Sequence, residues 1–293
     1  SSCERVFDPH LEGKPVIVLS NNDGCIIARS QESKLLGFKM GEPIFKCKDL
    51  VKKHNVIVRS SNFALYGDMS RRVMQTIRLF SPDVEIYSID EAFIKLDGLT
   101  GRNYEKIMRQ MRMAILQWTG IPVSIGIGQT KTLAKLANHY AKKTPEVGGV
   151  AEIPQNPDEM LQAVEIENIW GIGRRWSKKL RNIGVNTAFD LASMEPDSIR
   201  RSFNIVAMKT AMELRGHTYF RLEQTPEQRK TLLRSRSFGR PVESWHELSE
   251  AIASHATRAA EKLRNEELVA KVLRVFFHTS LFNYQEPRHS AHA

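Results

Sequence analysis

The sequence predicts an α+β fold from three observations. Short β-rich runs alternate with helix-like stretches over the first half of the chain, the first of them at residues 16–19. From residue 153 to Gly216 the pattern is almost wholly helical. The length of 293 residues corresponds to two or three domains, at about 150 residues per domain. A single minimal module is therefore excluded.

The first third predicts strands at 16–19 and 56–58 and a helix after Ser30. A second helix is predicted at 63–80, because apolar residues recur there every three or four positions, and Pro82 ends it. The mixture of short strands and amphipathic helices is typical of an α+β domain.

Residues 84–96 alternate in two apolar segments around a polar middle, which predicts an antiparallel strand pair bending near 88–91. A helix at 104–118, a strand at 123–128 and a helix at 130–143 follow. We expect these elements to surround one sheet.

After the helical segment, the polar residues 225–231 resemble a linker. A last unit is predicted as a strand at 234–242, a helix at 245–267 and a strand at 269–281. One helix on two strands buries little apolar surface, so this unit is expected to be incomplete.

Charge and composition limit the class of protein. Lys and Arg number 43 against 33 Asp and Glu, a net charge of +10, which favours a polyanionic partner, either nucleic acid or an anionic membrane surface. No apolar stretch approaches the roughly 20 residues that cross a bilayer, so a membrane-spanning protein is excluded. The three cysteines form no close pair, which argues against a disulfide framework or a zinc site and favours the cytoplasm.

The adjacent carboxylates of Asp90 and Glu91 fall where the two strands of 84–96 meet. Carboxylates suit Mg²⁺, and two ionised groups beside apolar positions repel each other unless a cation joins them. A solvated turn is the alternative, since adjacent acidic residues also occur at 158–159 and 266–267.

Two basic positions are candidates for phosphate binding. Lys131, Lys135, Asn138 and Lys142 form a stripe opposite the apolar face of the helix at 130–143. Such a stripe is usually solvated, and only Lys131, in the first turn, is expected to meet an anion. Arg29 can serve as a phosphate clamp or form an ordinary surface ion pair.

Residues 168–184 carry a helix-hairpin-helix signature, in which Gly171 and Gly173 flank the apolar Ile172. Trp176, Leu180 and Ile183 are expected on the inner face of the following helix. The remaining positions are basic and predict sequence-independent DNA contact, with solvation as the alternative. They are Arg174, Arg175, Lys178, Lys179 and Arg181.

Taken in order, these motifs resemble Y-family translesion DNA polymerases, and the chain is most similar to the UmuC-type branch of bacterial DNA polymerase V. The resemblance rests on Ser2-Cys3-Glu4, Gly13-Lys14-Pro15-Val16, Ala28-Arg29, Ser88-Ile89-Asp90-Glu91-Ala92-Phe93, Gly126-Ile127-Gly128 and Trp170-Gly171-Ile172-Gly173. The UmuC-type likeness adds Ser20-Asn21-Asn22-Asp23-Gly24-Cys25 and Ser235-Arg236-Ser237-Phe238-Gly239.

The resemblance implies a right-hand polymerase. Its parts would be fingers at 1–68, a palm at 69–152, an all-helical helix-hairpin-helix thumb at 153–224 and a partial α/β little finger at 232–293. The implied site residues are Asp90 and Glu91 as catalytic ligands of Mg²⁺, Arg29 and Lys131 for the nucleotide, and Gly171, Gly173, Arg174, Arg175, Lys178, Lys179 and Arg236 for DNA.

The implied activity is error-prone SOS translesion synthesis on primed template DNA with deoxynucleoside triphosphates, by two-metal nucleotidyl transfer. A regulatory UmuD-type subunit, a recombinase filament and a sliding clamp are the implied protein partners. In the family a further metal-binding Asp and an aromatic residue that excludes ribose precede Ser1, and many members carry Tyr at position 26, where this chain has Ile26. Little or no polymerase activity is therefore expected of these 293 residues alone.

The sequence leaves two other hypotheses of function open. One is a non-catalytic helix-hairpin-helix DNA-binding scaffold in DNA repair. The other is a metal-dependent nuclease built on Asp90 and Glu91, which would degrade DNA with Mg²⁺ and without nucleotides.

Overall fold

The structure is a computed structural model that describes residues 1–96, 103–223, 230–279 and 289–292. The chain forms two compact units, Ser1–Pro226 and Glu227–Ala293, and each is described by itself. The predicted linker at 225–231 lies outside the described residues except for its last two positions.

The first unit begins with a small three-stranded sheet in the order β2-β1-β3, with β1 antiparallel to β2 and parallel to β3. All four residues of β1 are buried, as expected for a continuous apolar run covered on both faces. The elements are α1 (Ser2–Phe7), β1 (Val16–Leu19), β2 (Ile26–Arg29), α2 (Gln31–Leu35), α3 (Lys48–Lys53) and β3 (Ile57–Ser60).

Two small sheets and three long helices follow. They are α4 (Phe63–Arg78), β4 (Val84–Ile86), β5 (Ala92–Ile94), α5 (Tyr104–Thr119), β6 (Ile125–Ile127), α6 (Lys131–Lys143) and β7 (Val150–Glu152). Strands β4 and β5 form the predicted antiparallel pair, whereas β6 and β7 are parallel. The expectation of one sheet is wrong for the described residues, because their strands before residue 153 form three separate sheets.

Strand β6 packs so closely on helix α6 that their backbones are in contact. A Cβ atom added to Gly126 would lie 2.0 Å from the carbonyl oxygen of Ala134 and 2.2 Å from the amide nitrogen of Asn138. Gly128 is nearly as tight, at 2.7 Å from the nitrogen of Ala134. Only glycine fits these two positions, so the motif Gly126-Ile127-Gly128 sets where α6 begins relative to the strand.

The rest of the first unit is helical, as predicted. Its helices are α7 (Asp158–Gln162), α8 (Arg174–Arg181), α9 (Ala188–Ser193), α10 (Pro196–Ser202) and α11 (Ile205–Leu214). Leu180, Leu191 and Leu214 share one buried cluster with Leu133 and Leu136 of α6. The helical part and α6 therefore have a common hydrophobic core.

The second unit contains α12 (Trp245–Asn265), β8 (Phe276–His278) and β9 (Ser290–His292), with the strands antiparallel. The predicted strand at 234–242 is wrong, since no regular element forms there. The predicted strand at 269–281 shortens to β8 within the described residues, and its last two positions lie outside them. Across the described ranges, no helix has both the length and the apolar character needed to span a membrane.

Candidate functional site

The acidic pair stands at the tip of the β4–β5 hairpin. The backbone nitrogens of Tyr87 and Ser88 both donate to the carbonyl oxygen of Glu91, each at 3.0 Å, and this closes the turn. The side chain of Ser88 donates to Oδ1 of the exposed Asp90 at 2.7 Å. Asp90 is therefore held in place by its own turn and remains open to solvent.

The carboxylate of Glu91 forms an ion pair with a lysine of the same chain, Lys135. Lys135 Nζ lies 2.5 Å from Oε1 of Glu91 and 5.9 Å from the centre of the Tyr87 ring. The repulsion expected between the two acids is relieved at Glu91 by this ammonium group.

Lys131 makes a similar contact one helical turn earlier. Its ammonium group pairs with Glu85 and lies 5.0 Å from the centre of the Phe93 ring. Glu85 and Phe93 are direct partners across the β4–β5 ladder, so one lysine contacts both. Lys131 meets a carboxylate, and the expectation of a solvated position is wrong for Lys135, because their side chains are only 11% and 19% exposed.

The four residues Asp90, Glu91, Lys131 and Lys135 all line one cleft of about 1880 Å³ in the first unit. Arg29 is absent from the lining within the described part of the chain. Its guanidinium donates instead to the carbonyl oxygen of Phe38 at 2.6 Å. The predicted nucleotide pair is therefore not brought together, since only Lys131 faces the cleft.

Tyr66 belongs to the wall of the same cleft and connects α4 to α1. Its hydroxyl donates to Oε1 of Glu4 at 2.5 Å. Burial, followed by this hydrogen bond to a carboxylate, raises the pKa of Tyr66 to about 12. The tyrosine therefore stays neutral and keeps its proton as a donor over the physiological pH range.

The predicted glycine turn at Gly171 and Gly173 lies between a three-residue 3-10 helix (Ile166–Asn168) and α8. Gly171 has a φ of 85°, a backbone conformation that residues with side chains rarely adopt. Ile172 is 5% exposed and packs the turn against the core. Leu180 is buried, but Ile183 is 58% exposed, so its predicted inward position is wrong. Helix α8 ends at Arg181, beyond which the helical periodicity no longer applies.

The basic residues of α8 divide into two groups. Arg174, Arg175, Lys178 and Lys179 are exposed, as a surface for phosphate contact requires. Arg181 instead forms ion pairs within the protein, with Glu167 at 2.5 Å and with Glu165 at 3.4 Å. In the second unit, Arg236 is exposed.

Four rings join the acidic hairpin to this turn. We call Tyr87, Phe93, Trp170 and Phe220 the aromatic cluster. The Trp170 ring centre lies 5.5 Å from Tyr87, 5.7 Å from Phe93 and 5.4 Å from Phe220. Its indole N–H also donates to the Tyr87 hydroxyl at 3.4 Å. Two of these contacts are edge-to-face and the contact with Phe93 is tilted, and together they link the hairpin that carries the carboxylates to the residue before Gly171.

Sequence reasoning missed two buried carboxylates, Glu85 and Glu213, which bind residues of the cleft wall. Glu213 is fully buried, and its oxygens accept hydrogen bonds from four groups at 2.8–3.0 Å: the backbone nitrogen and the hydroxyl of Thr132, and the backbone nitrogens of Tyr219 and Phe220. The available signal was an acid between Met212 and Leu214 at the end of α11, which is costly to bury without partners.

Asp90 and Glu91 are the residues at this cleft that could hold Mg²⁺. No three His, Cys, Asp or Glu side chains converge as a metal cage within the described ranges. Mg²⁺ is commonly bound by one or two carboxylates together with substrate phosphates, so the oxygen donors of this pair fit that ion.

The fold and the family follow from comparison with known proteins. A Y-family DNA polymerase chimera of Dbh and Dpo4 superposes with a TM-score of 0.74 at 20% identity, over 99% of this chain and 83% of that one. The fold is therefore that of the Y-family DNA polymerases. The impB/mucB/samB family matches residues 1–139, and its C-terminal domain matches 229–292.

Protein UmuC of Salmonella typhimurium is 46% identical over 292 residues, which are 98% of this chain and 69% of that protein. DNA polymerase IV of Picrophilus torridus is 32% identical over 228 residues, 75% of this chain and 64% of that protein. The chain belongs to the impB/mucB/samB family of UmuC-type Y-family DNA polymerases.

Proposed function

We propose that the chain provides the catalytic cleft of a template-directed, error-prone translesion DNA polymerase of the SOS response. The observation that carries the proposal is the shared cleft, in which Asp90 and Glu91 face the same space as Lys131 and Lys135. Acids that hold metal ions beside ammonium groups that meet phosphates are the parts that phosphoryl transfer requires. The UmuC-type relationship supports the same reaction.

The right-hand arrangement belongs to this proposal. We assign the fingers to 1–68, the palm to 69–152, the thumb to 153–224 and the little finger to 232–293, with the boundary between fingers and palm inside α4. The proposal gives Asp90 and Glu91 to the palm and the glycine turn of Gly171 and Gly173 to the thumb. Primed template DNA and deoxynucleoside triphosphates are the proposed substrates; the UmuD-type subunit, recombinase filament and sliding clamp remain predictions.

Each group has a separate task in the proposed reaction. Asp90 and Glu91 would hold Mg²⁺, which stabilises the attacking and leaving oxygens when it is bound. Lys131 would meet the negative charge of the triphosphate from the first turn of α6, at the positive end of the helix dipole. The turn at 171–173 and the exposed cations of α8 would hold the DNA backbone without reading its sequence.

Arg29 would serve the nucleotide only after a rearrangement, because its guanidinium already donates to Phe38. We therefore place the first phosphate contact at Lys131. Lys135 would keep the carboxylate of Glu91 at the hairpin tip.

The test is single-nucleotide insertion across an abasic template site. It is measured on a chimera in which these 293 residues replace the matching part of the Salmonella UmuC protein. Insertion that requires Mg²⁺, with Asp90→Asn abolishing insertion and retaining primer binding, supports the proposal, because charge positioning is separable from backbone grip.

Two other results would oppose it. DNA binding without insertion by the unsubstituted chimera favours the non-catalytic scaffold. DNA degradation with Mg²⁺ and no nucleotide favours the nuclease. Matched loss of binding and insertion in Asp90→Asn indicates misfolding, which circular dichroism of the variant checks.

A further inference from the structure

Glu85 occupies an unusual position for an acidic residue on a strand. It follows Val84 in β4, and both residues are buried, at 8% and 7% exposed, whereas Ile86 is 47% exposed. An alternating strand would bury Val84 and Ile86 and expose the acid between them. Glu85 is instead buried on its own face of the strand, where its carboxylate requires hydrogen-bond or ion-pair partners.

The partners of Glu85 come from two distant parts of the chain. The ammonium group of Lys131 pairs with Oε2, and the backbone nitrogen of Glu223 donates to the same oxygen at 2.7 Å. One carboxylate oxygen therefore joins Lys131, the first residue of α6, to Glu223, the last described residue of the first unit. Both side chains of the ion pair are about one-tenth exposed, so solvent screens the interaction weakly.

A cation at the first position of a helix is electrostatically unfavourable, because the helix presents its positive end there. Lys131 is nevertheless placed at this position, over the face of the Phe93 ring. The negative charge of Glu85 offsets the unfavourable helix potential, and the ring adds a second, weaker attraction. Among the described residues, Glu85 is the carboxylate that forms an ion pair with Lys131.

Glu213 repeats the arrangement at the next residue. It holds Thr132 with one oxygen and the backbone nitrogens of Tyr219 and Phe220 with the other. Adjacent residues of α6 are thus each bound by a buried carboxylate from another element. Each carboxylate also binds the backbone within residues 219–223, so that segment and the first turn of α6 are fixed together.

We propose that Glu85 is a positioning residue that fixes the ammonium group of Lys131 at the cleft and ties it to the backbone at Glu223. The role for nucleotide binding rests on the proposed function, in which Lys131 meets the triphosphate. The placement of Lys131 by Glu85 does not depend on it.

The first experiment measures the position of Lys131 directly. The 293-residue chain is treated with an amine-acylating reagent, and the rate at each lysine is read by peptide mass spectrometry. Glu85→Gln should raise the rate at Lys131 about fivefold, because the ammonium is released. Lys135, which pairs with Glu91, is the internal reference and should not change. Glu85→Asp should retain part of the protection.

Glu105→Gln is the matched control, because it removes a half-exposed ion pair to Arg109 on α5 and should leave Lys131 unchanged. An unchanged rate at Lys131 in Glu85→Gln would overturn the proposal. A parallel rise at Lys131 and Lys135 would also overturn it, since Glu85 would then support the local fold and not one side chain.

The second experiment measures nucleotide binding. Binding of a deoxynucleoside triphosphate with Mg²⁺ is titrated in the presence of template annealed to a dideoxy-terminated primer, so no chemistry is required. Glu85→Gln should weaken binding on the order of tenfold, as other partners that orient a contact do. Equal or tighter binding would overturn the positioning role, because Glu85 would then compete with the phosphates.

The two possible failures are distinguishable. If wild type does not bind nucleotide, or Lys131→Met binds as well as wild type, the proposed function of this lysine fails. The acylation rates still decide whether Glu85 fixes Lys131.

Discussion

Thr132 and Glu213, 81 positions apart, are joined by two hydrogen bonds. The backbone nitrogen and the hydroxyl of Thr132 donate to Oε2 of Glu213 at 2.9 and 2.8 Å. The second oxygen of the same buried carboxylate accepts the backbone nitrogens of residues 219 and 220. A single side chain therefore joins three segments of the first unit.

Glu213→Gln should cost about 3 kcal/mol of folding free energy, because an amide group then points its own donors at backbone N–H groups in a buried place. Urea denaturation followed by circular dichroism measures the loss. Glu105→Gln, which removes a half-exposed ion pair, should change the stability by less than about 0.5 kcal/mol. Similar values for the two variants would show that the Glu213 contacts contribute little.

Gly126→Ala should destabilise the first unit by about 3 kcal/mol or prevent folding, because the added Cβ would meet the α6 backbone at 2.0 Å. Gly67→Ala is the matched control. Its Cβ meets no atom within 4 Å and its position is helical, so alanine should add about 0.5–1 kcal/mol. Thermal or urea unfolding compares them, and a tolerated Gly126→Ala would contradict the close packing of β6 on α6.

The exposed cations of α8 should contribute to DNA affinity in a salt-dependent manner. Replacing both Lys178 and Lys179 by Ala should lower the slope of log affinity against log salt by up to about 1.8, at about 0.9 per phosphate contact. Arg181→Ala should change the slope less, because Arg181 already pairs with Glu165 and Glu167. Fluorescence anisotropy on duplex DNA at several salt concentrations gives the slopes; equal effects would contradict this division.

Asp190 should make stability pH-dependent. Its carboxylate accepts the backbone nitrogens of Asn186 and Thr187, and these hydrogen bonds lower its pKa below the usual 3.8. The pKa of Asp190 is lower in the folded protein than in the unfolded chain. The carboxylate therefore contributes its full stabilisation above about pH 4, and this stabilisation is lost as the pH falls through the folded-state pKa. Asp190→Asn should cost about 1 kcal/mol at pH 7.

The difference between wild type and Asp190→Asn should shrink as the pH falls below 3.8, the usual value for this group, in urea denaturation. Asp197→Asn is the comparison, because Asp197 lies in the first turn of α10 without a side-chain cap bond. A difference that stays constant with pH would contradict the role of the charged carboxylate.

Local patterns predicted the elements that bury a continuous or periodic apolar surface. Strand β1 begins and ends as predicted, and the start of α6 was off by one residue, because Thr130 is its cap. The strand at 234–242 was wrong, and its apolar positions, such as Phe238, stay exposed. Strand β2 was missed because it is short and ends in Ala28-Arg29.

The candidate site was predicted only where neighbours in sequence form it. Asp90 and Glu91 share a hairpin turn, so their placement follows from the alternation of 84–96. The ion pairs of Lys131 and Lys135 depend on how α6 packs over the hairpin, 46 and 44 residues away, respectively. Periodicity contains no information about such distant contacts, and the alternation placed Glu85 on the wrong face.

The aromatic cluster gives the chain an optical property. Trp170 contacts three other rings, whereas Trp118 and Trp245 are 58% and 74% exposed. An indole enclosed in this way differs in emission wavelength and in near-ultraviolet dichroism from one in water. With the other tryptophans replaced by phenylalanine, the intrinsic fluorescence of Trp170 becomes a dye-free reporter of any movement between the acidic hairpin and the glycine turn.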